Sequence, residues 1–195
     1  VNKSKQSNSN EFSWKSLAWK IYKNLIVFIM GSISLLLMTI TIKLISGRLK
    51  PYFVEICNPD VDCNTYRDEY IDDYTCINDD ETIISDARMS FISGYSAFSS
   101  YSVAYFVIHL NGNMKSKMLI SLRTLIQLTS SLIPVFVGLN QVVANRHHWT
   151  DVLGGYVLGL SLSYVLVNYL LNYSCGKLHY VSGIINNSRL TAKLI

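Results

Sequence analysis

Four stretches of this chain carry no Lys, Arg, Asp or Glu: Asn24–Ile42, Met89–Met114, Thr124–Asn140 and Val152–Ser174. A bilayer core about 30 Å thick is crossed by roughly 20 helical residues. Pro134 interrupts the third run, and a membrane helix tolerates proline where neighbours satisfy the freed backbone. The second run is rich in serine near its start. These lengths predict an all-α, integral-membrane helical bundle with four membrane helices, and they argue against a soluble helical core. A chain of 195 residues, 50% hydrophobic and 15% charged, fits one such domain.

The charges between the runs set an orientation. Segments 1–23, 111–123 and 174–195 hold 5, 3 and 3 basic residues with Glu11 as their only acid, whereas the rest of the chain holds 6 basic and 12 acidic residues. Excess Lys and Arg marks the cytoplasmic side. The N-terminus, the middle loop and the tail are therefore expected inside, and loops 43–91 and 140–151 on the opposite, extracellular or lumenal side. The resulting division is a cytoplasmic polar segment 1–19, a membrane domain 20–173 with an outer loop 52–90, and a cytoplasmic tail 174–195. Residues 1–14 read as disordered, and the first helix as spanning about 24–44 after an interfacial belt containing Trp19 and Tyr22. The chain begins with Val1 and shows no signal-peptide pattern, so a piece of a longer membrane protein is expected.

The outer loop holds 11 of the chain's 13 carboxylates and three of its four cysteines, Cys57, Cys63 and Cys76. An oxidising compartment predicts one disulfide among these three, with the pairing left open. The acidic spacing does not match a calcium-binding loop and no ligand cluster stands out, so no metal is predicted. Basic residues serve topology and form no continuous patch, which argues against nucleic acid as a partner. The membrane is the expected partner, and a homo-oligomer stays open.

Three polar stretches meet the same outer surface. In 43–51, Lys43, Arg48 and Lys50 lead into Pro51 as a cationic cluster. At 93–95, Ser93-Gly94-Tyr95 opens a helix, where backbone N–H groups and the helix dipole favour an anion. In 140–151, His147 and Asp151 stand four apart, a spacing that on a helical turn lets the carboxylate hold one imidazole nitrogen and leave the other free. Cations, an anion seat and an oriented nucleophile are the parts that phosphoryl transfer through a phosphohistidine requires. Elsewhere, Gly155 and Gly159 read as a small-xxx-small packing seam, His109 as structural, and Cys175 as lying at the inner membrane edge.

Over residues 20–173 the chain resembles the lipid phosphate phosphatases of the type 2 phosphatidic acid phosphatase superfamily. Their motifs are Lys, six residues, Arg-Pro; Ser-Gly-His; and Ser-Arg, five residues, His, three residues, Asp. Lys43, Pro51, Ser93, Gly94, His147 and Asp151 stand at matching positions, whereas Lys50, Tyr95 and Asn140-Gln141 replace the motif Arg, His and Ser-Arg. The resemblance implies an acid phosphatase/haloperoxidase-like helical core, usually of six membrane helices, and no cofactor. It implies His147 as nucleophile, Asp151 as its orienter and Tyr95 in the seat of the general acid. Lys43, Lys50, Ser93, Gly94 and Gln141 would form the phosphate-binding set.

It further implies a plasma-membrane protein acting on or binding phosphorylated lipids (phosphatidate, lysophosphatidate or sphingosine phosphate) at the outer leaflet. The substitutions predict weakened activity. Lysine lacks the bidentate fork of arginine. Gln141 forfeits a cation of the kind typically worth about 3 kcal/mol in the transition state. Tyrosine, with an unperturbed pKa near 10, is a poor acid at neutral pH, and losing a general acid typically costs about 100- to 10,000-fold. The alternative is a catalytically inactive relative that binds phospholipid or proteins.

Overall fold

A computed structural model of the chain describes residues 2–61, 74–113 and 120–169, the side chains of 2–13 and 113 excepted. The helices are α1 (Asn2–Ser46), α2 (Phe53–Cys57), α3 (Glu81–Ala87), α4 (Gly94–Asn113), α5 (Ile120–Val143) and α6 (Trp149–Tyr169). The described residues contain no strand; Pro59 and Cys76 form an isolated antiparallel bridge.

Helix α1 is 45 residues long and starts well before residue 24. The polar segment expected to be disordered is helical from Asn2, and no Pro or Gly interrupts the chain before Gly31. The helix ends where Gly47 takes φ +55° and its N–H donates to the Lys43 carbonyl. That left-handed termination is open to glycine without steric cost.

Among the described residues, three helices are long and apolar enough to cross a membrane: α1, α5 and α6. Helix α4, the remaining expected span, has 20 residues, enough for a crossing by length. Its lower apolarity has a structural reason. Ser96, Ala97, Ser100 and Tyr101 are buried, because α4 occupies the middle of the bundle and packs on protein along much of its length.

On one side of α4, Tyr101 stacks on Phe28 with centroids 5.4 Å apart, and its hydroxyl donates to the Phe28 carbonyl. One turn further along, Tyr105 donates to the Asn24 carbonyl. On another side, α6 approaches through glycine. A Cβ at Gly159 would strike the Ala97 carbonyl and the Ser100 hydroxyl, and one at Gly155 would strike the Ser93 carbonyl. The expected small-residue seam is therefore the α4–α6 contact. Helix α5 joins where Gly138 lies under Tyr156, whose hydroxyl donates to the Pro134 carbonyl at 2.6 Å.

Above one end of the bundle sits a small cap. Cys57 and Cys76 form the disulfide, and Phe53, Cys57 and Ala87 bury together against Tyr74 and Ile84. Arg88 lies over the Phe53 and Tyr74 rings. Helix α3 begins at Asp80, whose carboxylate accepts from the Thr82 and Ile83 N–H groups. Cys63, Cys175 and the tail 174–195 lie outside the described residues. At the opposite end of the bundle His109 meets Asn24, Nε2 to Nδ2 3.2 Å, as a structural contact.

Candidate active site

Backbone pairing ties the three polar stretches together. The Lys50 N–H donates to the Ala87 carbonyl and the Ser90 N–H to the Arg48 carbonyl, so residues 48–50 lie beside 87–90. The Ser93 N–H donates to the Asp151 carbonyl, and His148 Nε2 lies 3.2 Å from the Leu49 carbonyl. Three segments distant in sequence thus form one rigid wall at the end of the bundle.

Asp151 is the node of that wall. It is fully buried, with Oδ1 2.7 Å from Arg48 Nη1 and Oδ2 accepting from the Ser90 hydroxyl at 2.6 Å. Oδ2 also accepts the His148 N–H at 3.0 Å. Helix α6 starts at Trp149, so Asp151 occupies its third position and reaches back to cap the residue before the helix. The single helical turn expected to contain both His147 and Asp151 is therefore absent. His147 Nδ1 lies 3.8 Å from Asp151 Oδ2, an ion-pair distance and not a hydrogen bond. The carboxylate is already engaged by its other partners, and Nδ1 is buried without a hydrogen-bond partner.

In front of this wall opens a cavity of about 750 Å³, lined by Lys43, Lys50, Tyr95, Gln141, Arg146 and His147, with Glu55 and Asp86 also in its lining. Five of the eight residues expected at the site meet here: Lys43, Lys50, Tyr95, Gln141 and His147. Asp151 stands behind His147. Ser93 is buried, its N–H held by Asp151 and its hydroxyl within 3.0 Å of that of Ser96, and it does not line the cavity. Gly94 opens α4 beside Lys43 and Tyr95, in an adjoining groove.

Burial lowers the His147 pKa below its ordinary 6.5, and the charges of Lys43 and Lys50 lower it further. The imidazole is neutral at pH 7, the form a nucleophile needs. Gln141, 6% exposed, has an Oε1 without a hydrogen-bond partner. Its amide can turn either oxygen or NH2 toward a ligand.

Three participants were not singled out by the motifs. Arg48 holds Asp151 and the Thr150 hydroxyl, each at 2.7 Å. Asp86 accepts from Lys50 Nζ at 2.6 Å and so sits on a cation expected to receive phosphate. Burial raises the Asp86 pKa, but the hydrogen bond and charge of Lys50, together with Lys43, outweigh it and hold the carboxyl below its ordinary 3.8. Arg146 also lines the cavity, its N–H donating to the Gln141 carbonyl. The basic cluster 43–50 announced Arg48. Nothing local announced Asp86, one carboxylate within an acidic loop.

A helical bundle with membrane-length apolar helices and a polar cavity at one end, lined by Lys43, Lys50 and Arg146 together with Glu55 and Asp86, defines an integral-membrane protein. The PAP2 superfamily profile matches residues 23–174, and the chain belongs to that family. It is 31% identical to phospholipid phosphatase 1 of Rattus norvegicus over 166 residues, covering 85% of this chain and 58% of the relative. It is 30% identical to a putative phosphatidate phosphatase of Drosophila melanogaster, covering 87% of this chain and 49% of the relative. The chain thus spans about half the length of these relatives. Among solved structures, a PAP2-type phosphatidylglycerolphosphate phosphatase of Bacillus subtilis shares the fold, with TM-score 0.50, 22% identity, and 79% of this chain and 60% of that one covered.

Proposed function

We propose that this protein is a lipid phosphate phosphatase of reduced activity, working on phosphatidate, lysophosphatidate or sphingosine phosphate at the outer leaflet of the plasma membrane. The observation that carries the reading is the single cavity shared by Lys43, Lys50, Tyr95, Gln141 and His147. With Nδ1 of His147 toward Asp151, Nε2 is the nitrogen left to a bound phosphate. Nε2 attacks phosphorus, a P–N bond forms and the P–O bond to the lipid breaks. The Tyr95 hydroxyl protonates the departing oxygen. Water then gives a proton back to the Tyr95 phenolate as it attacks phosphorus, the P–N bond breaks, and inorganic phosphate leaves with His147 and Tyr95 restored. Lys43 and Lys50 neutralise the nonbridging oxygens throughout.

Two features favour low turnover. Gln141 contributes no charge at the cavity, and Asp86 competes with phosphate for Lys50. They also support a second reading, a phospholipid-binding relative that does not hydrolyse its ligand. Phosphate release from lysophosphatidate by the full-length protein decides between them. Release slower than from an intact-motif relative, lost in His147→Ala, is expected. Tyr95→His with Gln141→Arg and Lys50→Arg should recover more than the single changes sum to, because all act on one transition state. Binding without any release dependent on His147 selects the second reading.

A further inference from the structure

The cavity holds charges of both signs. Lys43, Lys50 and Arg146 line it together with Glu55 and Asp86, and with His147 neutral the lining carries a net charge of +1. A phosphate monoester carries about −1.5 to −2 at pH 7 and overshoots that charge. A ligand that bears an ammonium beside its phosphate comes close to balancing it.

Both carboxylates stand on the cap. Glu55 lies on α2 and Asp86 on α3, and the two helices share the small core of Phe53, Cys57 and Ala87. The Lys50 N–H donates to the Ala87 carbonyl, which holds Asp86 beside Lys50 with Oδ2 2.6 Å from Nζ. Lys50 is buried whereas Asp86 is more than half exposed, so the carboxylate has room for a second partner. Gln141, nine-tenths buried, adds an Oε1 that has no hydrogen-bond partner among the described residues. A dianionic phosphate brings only acceptors to these oxygens; an ammonium brings three donors.

A phosphate without an amine must displace Asp86 from Lys50 or share Lys50 with it. A ligand with an ammonium two carbons from the ester oxygen escapes that conflict. Its own ammonium–phosphate pair, laid antiparallel to the Lys50–Asp86 pair, sets four charges in alternation, with each new contact at about 2.8 Å. We infer that Asp86, supported by Glu55, is a specificity-determining residue that reads an ammonium beside the phosphate. It thereby ranks amine-bearing lipid phosphates, such as sphingosine phosphate, above phosphatidate and lysophosphatidate. The inference rests on the proposed headgroup site but not on hydrolysis.

The test uses the full-length protein in nanodiscs and two phosphonate analogues that resist hydrolysis. One is that of sphingosine phosphate; in the other a hydroxyl replaces the ammonium. At pH 7 the wild type should bind the amine analogue about fivefold or more tightly than its hydroxyl counterpart. Asp86→Asn should bring that ratio toward one, and Asp86→Asn with Glu55→Gln should bring it closer still. The hydroxyl analogue should bind these variants as well as the wild type or better, which also reports that they are folded. Glu55→Gln alone should lower the ratio in the same direction. A ratio near one in the wild type, or one that the double substitution leaves unchanged, overturns the inference and leaves the headgroup site standing. Equal weakening of both analogues by Asp86→Asn also overturns it, because Asp86 would then only position Lys50. Failure of both analogues to bind removes the headgroup site and the inference with it.

Discussion

Lys50 faces two claims on its charge. Its ammonium is 2.6 Å from Asp86 Oδ2 and 3.2 Å from the Tyr52 hydroxyl, inside the cavity where a phosphate would lie. A ligand must displace Asp86 or share Lys50 with it. Asp86 is more than half exposed, so the pair is worth only about 1 kcal/mol or less. Asp86→Asn should therefore tighten binding of phosphatidate vesicles by no more than roughly fivefold. Weaker binding in a folded Asp86→Asn protein would show that Asp86 positions Lys50 and does not compete for it. His147 supports a separate expectation. Its folded pKa lies below 6.5, so the neutral imidazole persists as pH falls through 6.5 and is lost only below it. The acid limb of phosphate release should thus lie below 6.5, and Lys50→Ala should move it upward. The same shift makes native His147 resist protonation, so its contribution to stability declines as pH drops below 6.5. A limb at or above 6.5 would contradict the burial and cationic surroundings that set the shift.

At the scale of elements, α4 is the helix the others are built on, and its contact with α6 depends on the absence of side chains. A Cβ at Gly159 would meet the Ala97 carbonyl, which is backbone and cannot swing aside. Gly159→Leu should force the helices apart and cost about 3 kcal/mol or more. Gly112 is a control within the same bundle, since a Cβ there meets nothing within 4 Å. Thermal unfolding in detergent should show a large loss for Gly159→Leu and little change for Gly112→Ala. Equal midpoints would mean that the seam does not hold the bundle together. Separation here would also reach the site, because the Ser93 N–H that anchors the start of α4 is held by the Asp151 carbonyl of α6.

For the whole molecule, the cap, the cavity and the starts of α4 and α6 lie at one end of the bundle, and the His109–Asn24 contact lies at the other. The expectation that the first end is non-cytoplasmic rests on charge, the three segments expected inside holding 11 basic residues and one acid. Cysteines at Asp79 and Ala144, both exposed, should each react with an impermeant thiol reagent added outside intact cells. Labelling at only one of them would place the two loops on opposite sides and dismantle the cavity.

Hydrophobic run length and charge asymmetry act through the bilayer, a solvent of fixed thickness, so the sequence alone determined the helical membrane class, the side shared by the polar loops, and the spacing that brings His147 near Lys43 and Lys50. Small residues at 155 and 159 likewise announced a seam, though not its partner, because close approach is a property of two surfaces. The pairing of Cys57 with Cys76, the engagement of Asp151 by Arg48 and Ser90, and the contact of Asp86 with Lys50 were decided by tertiary structure. Each joins residues through space, and acidic loops and basic clusters offer many pairings of similar local chemistry. The expected His147–Asp151 hydrogen bond gave way for the same reason: a carboxylate's lone pairs are shared among whatever donors the fold brings to it, and here the fold brought stronger ones.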